Sequence, residues 1–302
     1  MLGNSSHKSR SPKLPAKPMD RTTLIDPADL ESRLGAPGLV VLDCRHDLFA
    51  PDAGAAAYAR AHIPGALYAH ADHDLAGPVT PASGRHPLPT IEAFAATLRR
   101  FGVGQDSQVV VYDDSGGTTA GRLWWMLRWA GHRRVALLNG GWKQWLAHGG
   151  PQTSTVPNTA PGAFRAQADR TQWLSTDELS ARLGDPSLLL VDARAADRFA
   201  GRSEPIDAIA GHVPGALSHP LSQNLDGDGR FLPPAVLRER WEKTLAGRPG
   251  TALIAMCGSG VSACHNLLAL EVAGLGSGKL YVGSWSEWIR DRSRPVATSL
   301  SV

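Results

Sequence analysis

Residues 253–275 have the sequence LIAMCGSGVSACHNLLALEVAGL, and residues 109–132 have the sequence VVVYDDSGGTTAGRLWWMLRWAGH. Each stretch begins with a short apolar run, passes through a turn that contains glycine and continues in an apolar helical pattern. This order predicts a strand, a tight loop and a helix in both places. Two such units in one chain indicate an internal duplication, and this is the feature that decides the fold.

Three further motifs recur in the same order in the two halves of the chain. LVVLDCRHDLF at 39–49 parallels LLLVDARAADRF at 188–199, AHIPGAL at 61–67 parallels GHVPGAL at 211–217, and NGGWKQW at 139–145 parallels VGSWSEW at 282–288. The two copies of each motif lie between 143 and 150 residues apart. We therefore predict two homologous domains.

The remaining segments set the boundaries of these domains. Residues 1–21 are rich in Ser, Lys and Pro, carry a net charge of +4 and are predicted to form a disordered basic tail. The first domain is expected over residues 22–150 and the second over residues 164–302. Residues 151–163 between them are rich in Pro and Thr, which is typical of a linker.

Each copy alternates strand and helix patterns. The continuous apolar runs Leu188–Val191 and Leu253–Met256 are expected of strands that are covered on both faces. Helices are expected to begin at Asp26–Pro27, at Thr90 and at Pro233–Pro234. This alternation predicts an α/β fold in which each domain has a mostly parallel sheet with helices on both faces. Ligands of such folds bind at the carboxyl ends of the strands.

Composition limits the class of protein. With 302 residues, of which 42% are hydrophobic, the chain resembles a two-domain globular protein. No apolar run approaches the ~18 residues of a membrane span, and the start lacks a signal-peptide pattern. The formal charge of +3 resides in the tail, since the rest carries −1, so a nucleic-acid-binding surface is not indicated. Three cysteines, a small and odd number, favour a reducing compartment, and we expect a cytoplasmic protein.

Cys257 stands where the predicted strand ends and the glycine-containing loop begins. A buried filler is the commonest role of a free cysteine. The loop favours a nucleophile instead, because its glycines allow backbone N–H groups to converge on an anion and the following helix adds the positive end of its dipole. A thiolate would be stabilised in such a place.

Spacing disfavours the other roles of Cys257. A cysteine phosphatase needs an arginine about six residues after the nucleophile to clamp the phosphate, and Ala263 stands there. Cys257 and Cys264 would lie ~10 Å apart along a helix, which is too far for a disulfide. We interpret Cys44 and Cys264 as packing residues. No C-x-x-C motif or paired His/Cys spacing indicates a metal site.

These motifs together resemble the tandem-domain rhodanese superfamily. The resemblance rests on the duplication, on the HxPGA turns at 62–66 and 212–216, on CGSGVSA at 257–263 and on GSWSEW at 283–288. It covers about residues 22–298. The loop is similar to that of 3-mercaptopyruvate sulfurtransferases, whereas many thiosulfate sulfurtransferases carry basic residues after the cysteine.

The resemblance implies the chemistry of a sulfurtransferase. Cys257 would take a sulfane sulfur from 3-mercaptopyruvate or thiosulfate and become a persulfide. It would pass the sulfur to cyanide, a small thiol or a thioredoxin-type protein by double displacement. No cofactor or metal is expected. The implied binding residues are Arg198 and the loop residues Gly258, Ser259, Gly260, Val261 and Ser262. A non-enzymatic persulfide carrier or protein-binding module on the same fold is the alternative.

The duplication implies unequal domains. Alignment of the two copies through Gly117 and Gly260 places Asp114 opposite Cys257. A carboxylate cannot form a persulfide, so the first domain is expected to be catalytically inactive and to cover the loop of the second. The substrate pocket would then lie between the domains.

Arg202 and His62 are two further candidates. The second arginine of mercaptopyruvate-type members would fall at Ile206 or Asp207, which leaves Arg202 as the nearest cation and the donor open. His62 and its repeat His212 occupy the HxPGA turns, where a structural role is expected. His62 is also a candidate to face the cleft.

Overall fold

The computed structural model describes residues 21–298 of the chain. The basic tail predicted over residues 1–21 lies outside this range except for Arg21, whose backbone N–H donates to Oε1 of Gln108 at 3.1 Å. Among the described residues, no helix is both long and apolar enough to cross a membrane.

Strands and helices alternate through the first half of the chain. The elements are β1 (Leu24–Ile25), α1 (Pro27–Glu31), β2 (Leu39–Asp43), α2 (Ala53–Arg60), β3 (Ala66–Tyr68), α3 (Ile91–Arg100), β4 (Gln108–Tyr112), α4 (Thr118–Trp129), β5 (Val135–Leu138) and α5 (Gly141–Ala147). The strands form one sheet in the order β1-β5-β4-β2-β3, and every neighbouring pair is parallel.

The second half repeats this pattern. Its elements are β6 (Trp173–Leu174), α6 (Thr176–Ser180), β7 (Leu189–Asp192), α7 (Ala196–Phe199), β8 (Leu217–Ser218), α8 (Pro234–Leu245), β9 (Leu253–Met256), α9 (Ala263–Val272), β10 (Lys279–Tyr281) and α10 (Ser284–Trp288). The sheet order β6-β10-β9-β7-β8 matches that of the first domain, and it too is parallel.

Each sheet is covered on both faces. In β4, Val109 and Val111 belong to a core that both domains share, whereas Val110 and Tyr112 belong to a core that includes Leu30 of α1 and lies on the opposite face. The strand β9 alternates in the same way between two cores. The predicted fold class, two α/β domains with mostly parallel sheets, is confirmed.

Helices begin at the three positions that the capping residues and prolines predicted. Helix α1 follows Asp26 and has Pro27 in its first turn. Helix α3 follows Thr90, whose hydroxyl accepts the N–H of Ala93 at 3.2 Å and so satisfies one backbone donor that the helix itself leaves free. Helix α8 begins at Pro234, where the missing N–H of proline costs nothing.

Helices α4 and α9 pack against each other between the two domains. Their close approach uses Gly121, because a Cβ there would lie 3.4 Å from the Cα of His265. Since α4 follows the loop after β4 and α9 follows the loop after β9, this packing brings the equivalent loops of the two domains to one interface.

Residues 151–163, all within the described part of the chain, contain no helix or strand. This segment is anchored to the first domain. Thr153 pairs with His62 in an antiparallel bridge, and the N–H of Gly162 donates to the carbonyl of Arg99 at 2.7 Å.

Candidate active site

Cys257 follows β9 directly and is 1% exposed. Its backbone N–H donates to Oγ of Ser284 at 3.1 Å, and its carbonyl accepts the N–H of Trp285 at 3.0 Å. The loop then turns through Gly260, whose φ of +77° lies in the left-handed region that glycine tolerates, and enters α9. The predicted strand, loop and helix are therefore present.

The other two cysteines pack in the core. All three cysteines are unpaired, and Cys44 and Cys264 are completely buried. Burial raises the pKa of the Cys264 thiol to about 12. Cys257 is the cysteine that lines a cavity.

This cavity, of about 210 Å³, lies between the two domains. The second domain lines it with Cys257, Gly258, Ser259, Val261, Ser262, Arg198 and Ile206, and the first domain lines it with His46, Leu48, Ala71, Arg85, His86, Ser115, Thr118 and Thr119. Six of the nine predicted site residues are thus brought together. Ser262 makes no side-chain cap to α9, so its hydroxyl is not committed to the helix start.

Two of the remaining candidates have other tasks. A Cβ on Gly260 would lie 2.6 Å from the carbonyl oxygen of Val282, so this glycine makes the bend of the loop without lining the cavity. Arg202 lies on the surface and pairs with Asp197 at 2.7 Å.

His62 supports its turn instead of facing the cleft. Its two ring nitrogens lie 2.7 Å from the carbonyl oxygen of Tyr58 and 3.1 Å from that of Thr155. His212 is placed similarly, with Nδ1 at 2.8 Å from the carbonyl oxygen of Phe199. These contacts agree with the structural role expected for the repeated histidines, and His62 does not line the cavity.

The sheet register identifies the first-domain residue that corresponds to Cys257. Tyr112 and Met256 are the last residues of β4 and β9, and each pairs with the aspartate that ends the neighbouring strand. The residues that follow them are Asp113 and Cys257. Asp113 therefore occupies the cysteine position, and the alignment that placed Asp114 there was wrong.

A backbone contact gives the same correspondence. The N–H of Trp142 donates to the carbonyl of Asp113 at 2.8 Å, as the N–H of Trp285 donates to that of Cys257 at 3.0 Å. Six residues separate Asp113 from Ala120, whereas five separate Cys257 from Ala263, so the alignment of Gly117 with Gly260 shifted the match by one.

The carboxylate of Asp113 fills the loop of the first domain. Oδ1 accepts the N–H groups of Ser115 and Gly117 at 3.0 and 2.8 Å. Oδ2 accepts those of Thr119 and Ala120 at 2.9 Å each. Burial nevertheless raises the pKa of Asp113. The loop geometry of this fold thus binds an anion through converging backbone N–H groups.

In the second domain the equivalent loop begins at Cys257. The backbone N–H groups of residues 258–262 have no protein acceptor within the part of the chain that the structure describes.

Ser259, His86 and Asp72 form a hydrogen-bonded chain across the domain interface. Oγ of Ser259 lies 2.8 Å from Nδ1 of His86, and Nε2 of His86 lies 3.0 Å from Oδ1 of Asp72. Burial and the nearby guanidinium of Arg122 lower the pKa of His86 to about 4, so its ring is neutral at pH 7. The arrangement is that of a serine–histidine–aspartate relay, in which the carboxylate orients the imidazole.

His86 belongs to a repeated segment. GRHPLP at 84–89 corresponds to GRFLPP at 229–234. His86 contacts the loop of the second domain, and Phe231 lies over the loop of the first, where a Cβ on Gly117 would be 3.4 Å from its ring. Each domain therefore covers the loop of the other.

Arg198 and Arg85 bring two guanidinium groups to the cavity. Arg198 pairs with Glu204 at 2.7 Å and with Asp207 at 3.1 Å, and Arg85 pairs with the other oxygen of Asp207. A Cβ on Gly258 would lie 2.8 Å from the guanidinium of Arg85 and 3.6 Å from that of Arg198. The first domain therefore brings a second guanidinium close to that of Arg198.

Arg122 of α4 lies behind the loop and is 1% exposed. Its guanidinium donates to the carbonyls of Gly260 and His86 at 3.1 and 3.2 Å. No carboxylate pairs with it among the described residues. Burial lowers the pKa of Arg122, and the sulfur atoms of Cys264 and Cys257 oppose that effect. A buried cation without a carboxylate needs another anion nearby.

Comparison with known families agrees with this architecture. The model of the rhodanese-like domain matches residues 26–148 and again residues 175–291. The chain belongs to the rhodanese family. The resemblance inferred from the motifs is confirmed, and the two matched segments fall within the two expected domains.

Named relatives of this rhodanese are sulfurtransferases. The chain is 49% identical to a probable 3-mercaptopyruvate sulfurtransferase of Pseudomonas aeruginosa, over 93% of this chain and 99% of the relative. It is 38% identical to a putative thiosulfate sulfurtransferase of Mycobacterium tuberculosis, over 90% of this chain and 96% of the relative. The solved 3-mercaptopyruvate sulfurtransferase from Leishmania major superposes with a TM-score of 0.78 at 31% identity, over 92% of this chain and 75% of that one.

These likenesses confirm the expectation of a sulfurtransferase at the level of the family and its relatives. They favour an enzyme over the non-enzymatic carrier or binding module. Sequence reasoning missed Asp72, Arg85, His86 and Arg122, all of which lie in the first domain. Two of them, Arg85 and His86, lie in the segment GRH at 84–86, which is repeated as GRF at 229–231 and could have been recognised by that repeat.

Proposed function

We propose that this rhodanese transfers the sulfur of 3-mercaptopyruvate to Cys257 and from there to a thiol or to cyanide. The observation that carries the proposal is the relay of Ser259, His86 and Asp72 beside the cysteine. The relay can transfer protons. A reaction with 3-mercaptopyruvate requires proton transfer, whereas a reaction with thiosulfate does not.

The first half-reaction is a displacement at sulfur. The thiolate of Cys257 attacks the sulfur of the donor, an S–S bond forms and the C–S bond breaks. The electron pair of that bond remains on carbon as the enolate of pyruvate. The proton of the donor thiol must leave sulfur, and a proton must reach the enolate carbon, which yields pyruvate and a persulfide anion.

The relay is suited to this proton transfer. The hydroxyl of Ser259 can take the thiol proton while the neutral ring of His86 accepts the hydroxyl proton in turn, and the steps reverse to protonate the enolate. Thiosulfate carries no proton on its outer sulfur and leaves as sulfite without one. A pocket with a relay is therefore better matched to 3-mercaptopyruvate.

The guanidinium groups of Arg198 and Arg85 would bind the carboxylate of the donor. A planar fork of N–H donors suits a carboxylate. Nη1 of Arg198 is not used by Glu204 or Asp207, and Nη2 of Arg85 is not used by Asp207. Both atoms lie next to Gly258, one residue after the nucleophile.

The persulfide would be held by the loop that follows Cys257, which is the counterpart of the loop that binds the carboxyl group of Asp113 in the first domain. Its outer sulfur carries the negative charge, to which the backbone N–H groups of residues 258–262 are available. Arg122 adds a buried positive charge behind the same loop. These groups stabilise the anion until an acceptor arrives.

The second half-reaction needs no cofactor. A thiolate or cyanide attacks the outer sulfur and releases the Cys257 thiolate. Small thiols and thioredoxin-type proteins are the acceptors that we propose. Unpaired cysteines fit a reducing compartment, and we propose the cytoplasm as the location.

Two measurements test the proposal. kcat/KM for 3-mercaptopyruvate should exceed that for thiosulfate when thiocyanate formation is followed with cyanide as acceptor. Mass spectrometry after treatment with donor alone should find an adduct of about 32 Da on Cys257. A preference for thiosulfate would overturn the donor assignment, and an adduct elsewhere would overturn the nucleophile.

A further inference from the structure

His46, Asp72 and His86 meet at the wall of the cavity although they are far apart in the sequence. His46 follows β2, whereas Asp72 and His86 lie in the long segment between β3 and α3. One ligand atom from each of the three lies within 4.8 Å of the others. The sequence contained no sign of this cluster, because 26 and 14 residues separate its members.

His46 has no hydrogen-bond partner in the part of the chain that the structure describes. Both of its ring nitrogens are buried, and neither has a hydrogen-bond partner among the described residues. A buried ring nitrogen without a partner is costly, and a native structure usually satisfies it. The neighbouring ring of His70 contacts His46 only edge-on, with centroids 6.3 Å apart.

The donor set is that of a transition-metal site. Two imidazole nitrogens and one carboxylate oxygen form the protein ligands of many zinc centres that keep a position open. His46 and His86 both line the cavity that contains Cys257, so the open position would face that cavity. Nδ1 of His70 accepts the N–H of Asp72 at 3.1 Å and fixes the backbone next to the carboxylate.

We propose that His46, Asp72 and His86 bind a divalent zinc ion that reversibly inhibits the enzyme. The ion and the relay compete for the same atoms. Zinc would bind Nε2 of His86, and the proton of that nitrogen would move to Nδ1. His86 would then donate to Oγ of Ser259 and could no longer accept its proton.

The site is built for reversible binding. It offers one negative charge against the 2+ of the ion, and the guanidinium of Arg122 lies 3.2 Å from the carbonyl of His86. Structural zinc sites use four protein ligands with more thiolate charge. Occupancy should therefore follow the free zinc concentration, and a chelator should reverse it.

Binding is tested without reference to activity. The full-length Cys257→Ser protein, freed of metal, is titrated with Co²⁺, whose visible absorption reports a four-coordinate site, and Zn²⁺ is then added in competition. One Co²⁺ per chain is expected, displaced by Zn²⁺. His46→Gln in the same background should abolish the absorption, and His73→Gln, an exposed neighbour, should keep it. The proposed site would be overturned if the His46→Gln protein bound Co²⁺ as well as its parent, or if none of the three proteins showed Co²⁺ absorption.

Inhibition is tested separately in protein that retains Cys257. With free Zn²⁺ held by a metal buffer, the concentration that halves the rate should rise at least tenfold in His46→Gln, each protein being compared with its own uninhibited rate. EDTA should restore the rate. Equal sensitivity of both proteins would mean that zinc acts on the cysteine directly, and the inhibitory role would fail. The inhibitory role rests on the proposed function, whereas the cobalt titration does not depend on the reaction. Failure of the metal site can therefore be distinguished from failure of the proposed function.

Discussion

Asp113 and Cys257 each follow the last residue of equivalent strands in the two domains. The carboxylate of Asp113 accepts four backbone N–H groups at 2.8 to 3.0 Å, and the N–H groups of the loop after Cys257 have no acceptor among the described residues. One copy thus has a carboxyl group built into its loop, and in the proposed reaction the other would acquire a negative charge on its sulfur.

Replacement of Cys257 tests the nucleophile. Cys257→Ser should reduce thiocyanate formation below detection with either donor, because a hydroxyl cannot accept a sulfane sulfur. Cys264→Ala is the matched control, since this thiol is completely buried and its pKa is about 12. The control should retain most of the activity. Appreciable turnover by Cys257→Ser would assign the nucleophile elsewhere.

The relay should matter for one donor and not for the other. We expect His86→Gln to lower kcat with 3-mercaptopyruvate by about 10²-fold or more, the usual contribution of general acid–base catalysis. With thiosulfate the same variant should change kcat by only a few-fold, because no proton moves. Ser259→Ala should behave alike. Equal losses with both donors would indicate that these residues only support the loop.

The two guanidinium groups should control donor affinity. Arg198→Met and Arg85→Met should each raise KM for 3-mercaptopyruvate by about 10- to 100-fold, which corresponds to the 1.5–3 kcal/mol of a hydrogen bond to a charged group. Transfer from the preformed persulfide to cyanide should be little affected. Arg202→Met, which removes a surface arginine paired with Asp197, is the control. An unchanged KM in Arg85→Met would remove the first domain from donor binding.

Arg122 should increase the reactivity of the nucleophile. Arg122 places a buried positive charge behind the loop of Cys257, where it attracts negative charge on the sulfur, so Arg122→Met should slow alkylation of Cys257 by iodoacetamide on the order of tenfold. Arg122→Lys keeps the charge and should recover part of the rate. Peptide mass spectrometry identifies the alkylated cysteine, and thermal unfolding checks that both variants fold. Equal rates in Met and Lys variants would point to a packing role.

Buried histidines should make stability depend on pH. Burial lowers the pKa of His265 and His219 from 6.5 to about 4. As the pH falls from 6.5 to 4 the unfolded chain binds protons that the folded protein does not, so the free energy of unfolding decreases, by about 1.4 kcal/mol per pH unit for each histidine at most. Above pH 6.5 the effect vanishes.

The contribution of His265 can be isolated. Its Nε2 lies 3.1 Å from the carbonyl oxygen of Gly116, a contact that the amide of glutamine can replace. Denaturation by urea at several pH values should give a shallower dependence for His265→Gln than for the parent protein. The exposed His73→Gln should match the parent. A parallel curve for His265→Gln would assign the pH dependence to other groups.

The fold could be predicted because each copy obeys local rules. Apolar runs, helix starts at Thr90 and Pro234, and glycine-containing turns recur in both halves, and each can be recognised within a few residues. The position of Asp113 could not be read in this way, because the two loops differ by one residue and only the strand register aligns them. Register is a property of paired strands and not of a single segment.

The cavity was harder to predict for a different reason. Arg198 and the cysteine loop were identified because the motifs of the second domain contain them. Arg85 and His86 lie in the first domain and reach the cavity only when α4 packs on α9. No periodicity within either copy records that packing, although the GRH and GRF segments were available for comparison.

The shared relay also links the evolutionary histories of the two copies. His86 lies in one copy and Ser259 in the other, 173 residues apart in the chain. In the proposed mechanism, neither copy could be deleted or diverge alone after the duplication without loss of proton transfer. Positions 72, 86 and 259 should therefore covary among relatives more strongly than each does with its neighbours in sequence. The copy that has Asp113 at the position of Cys257 should therefore remain under the same selection as the copy that has the cysteine.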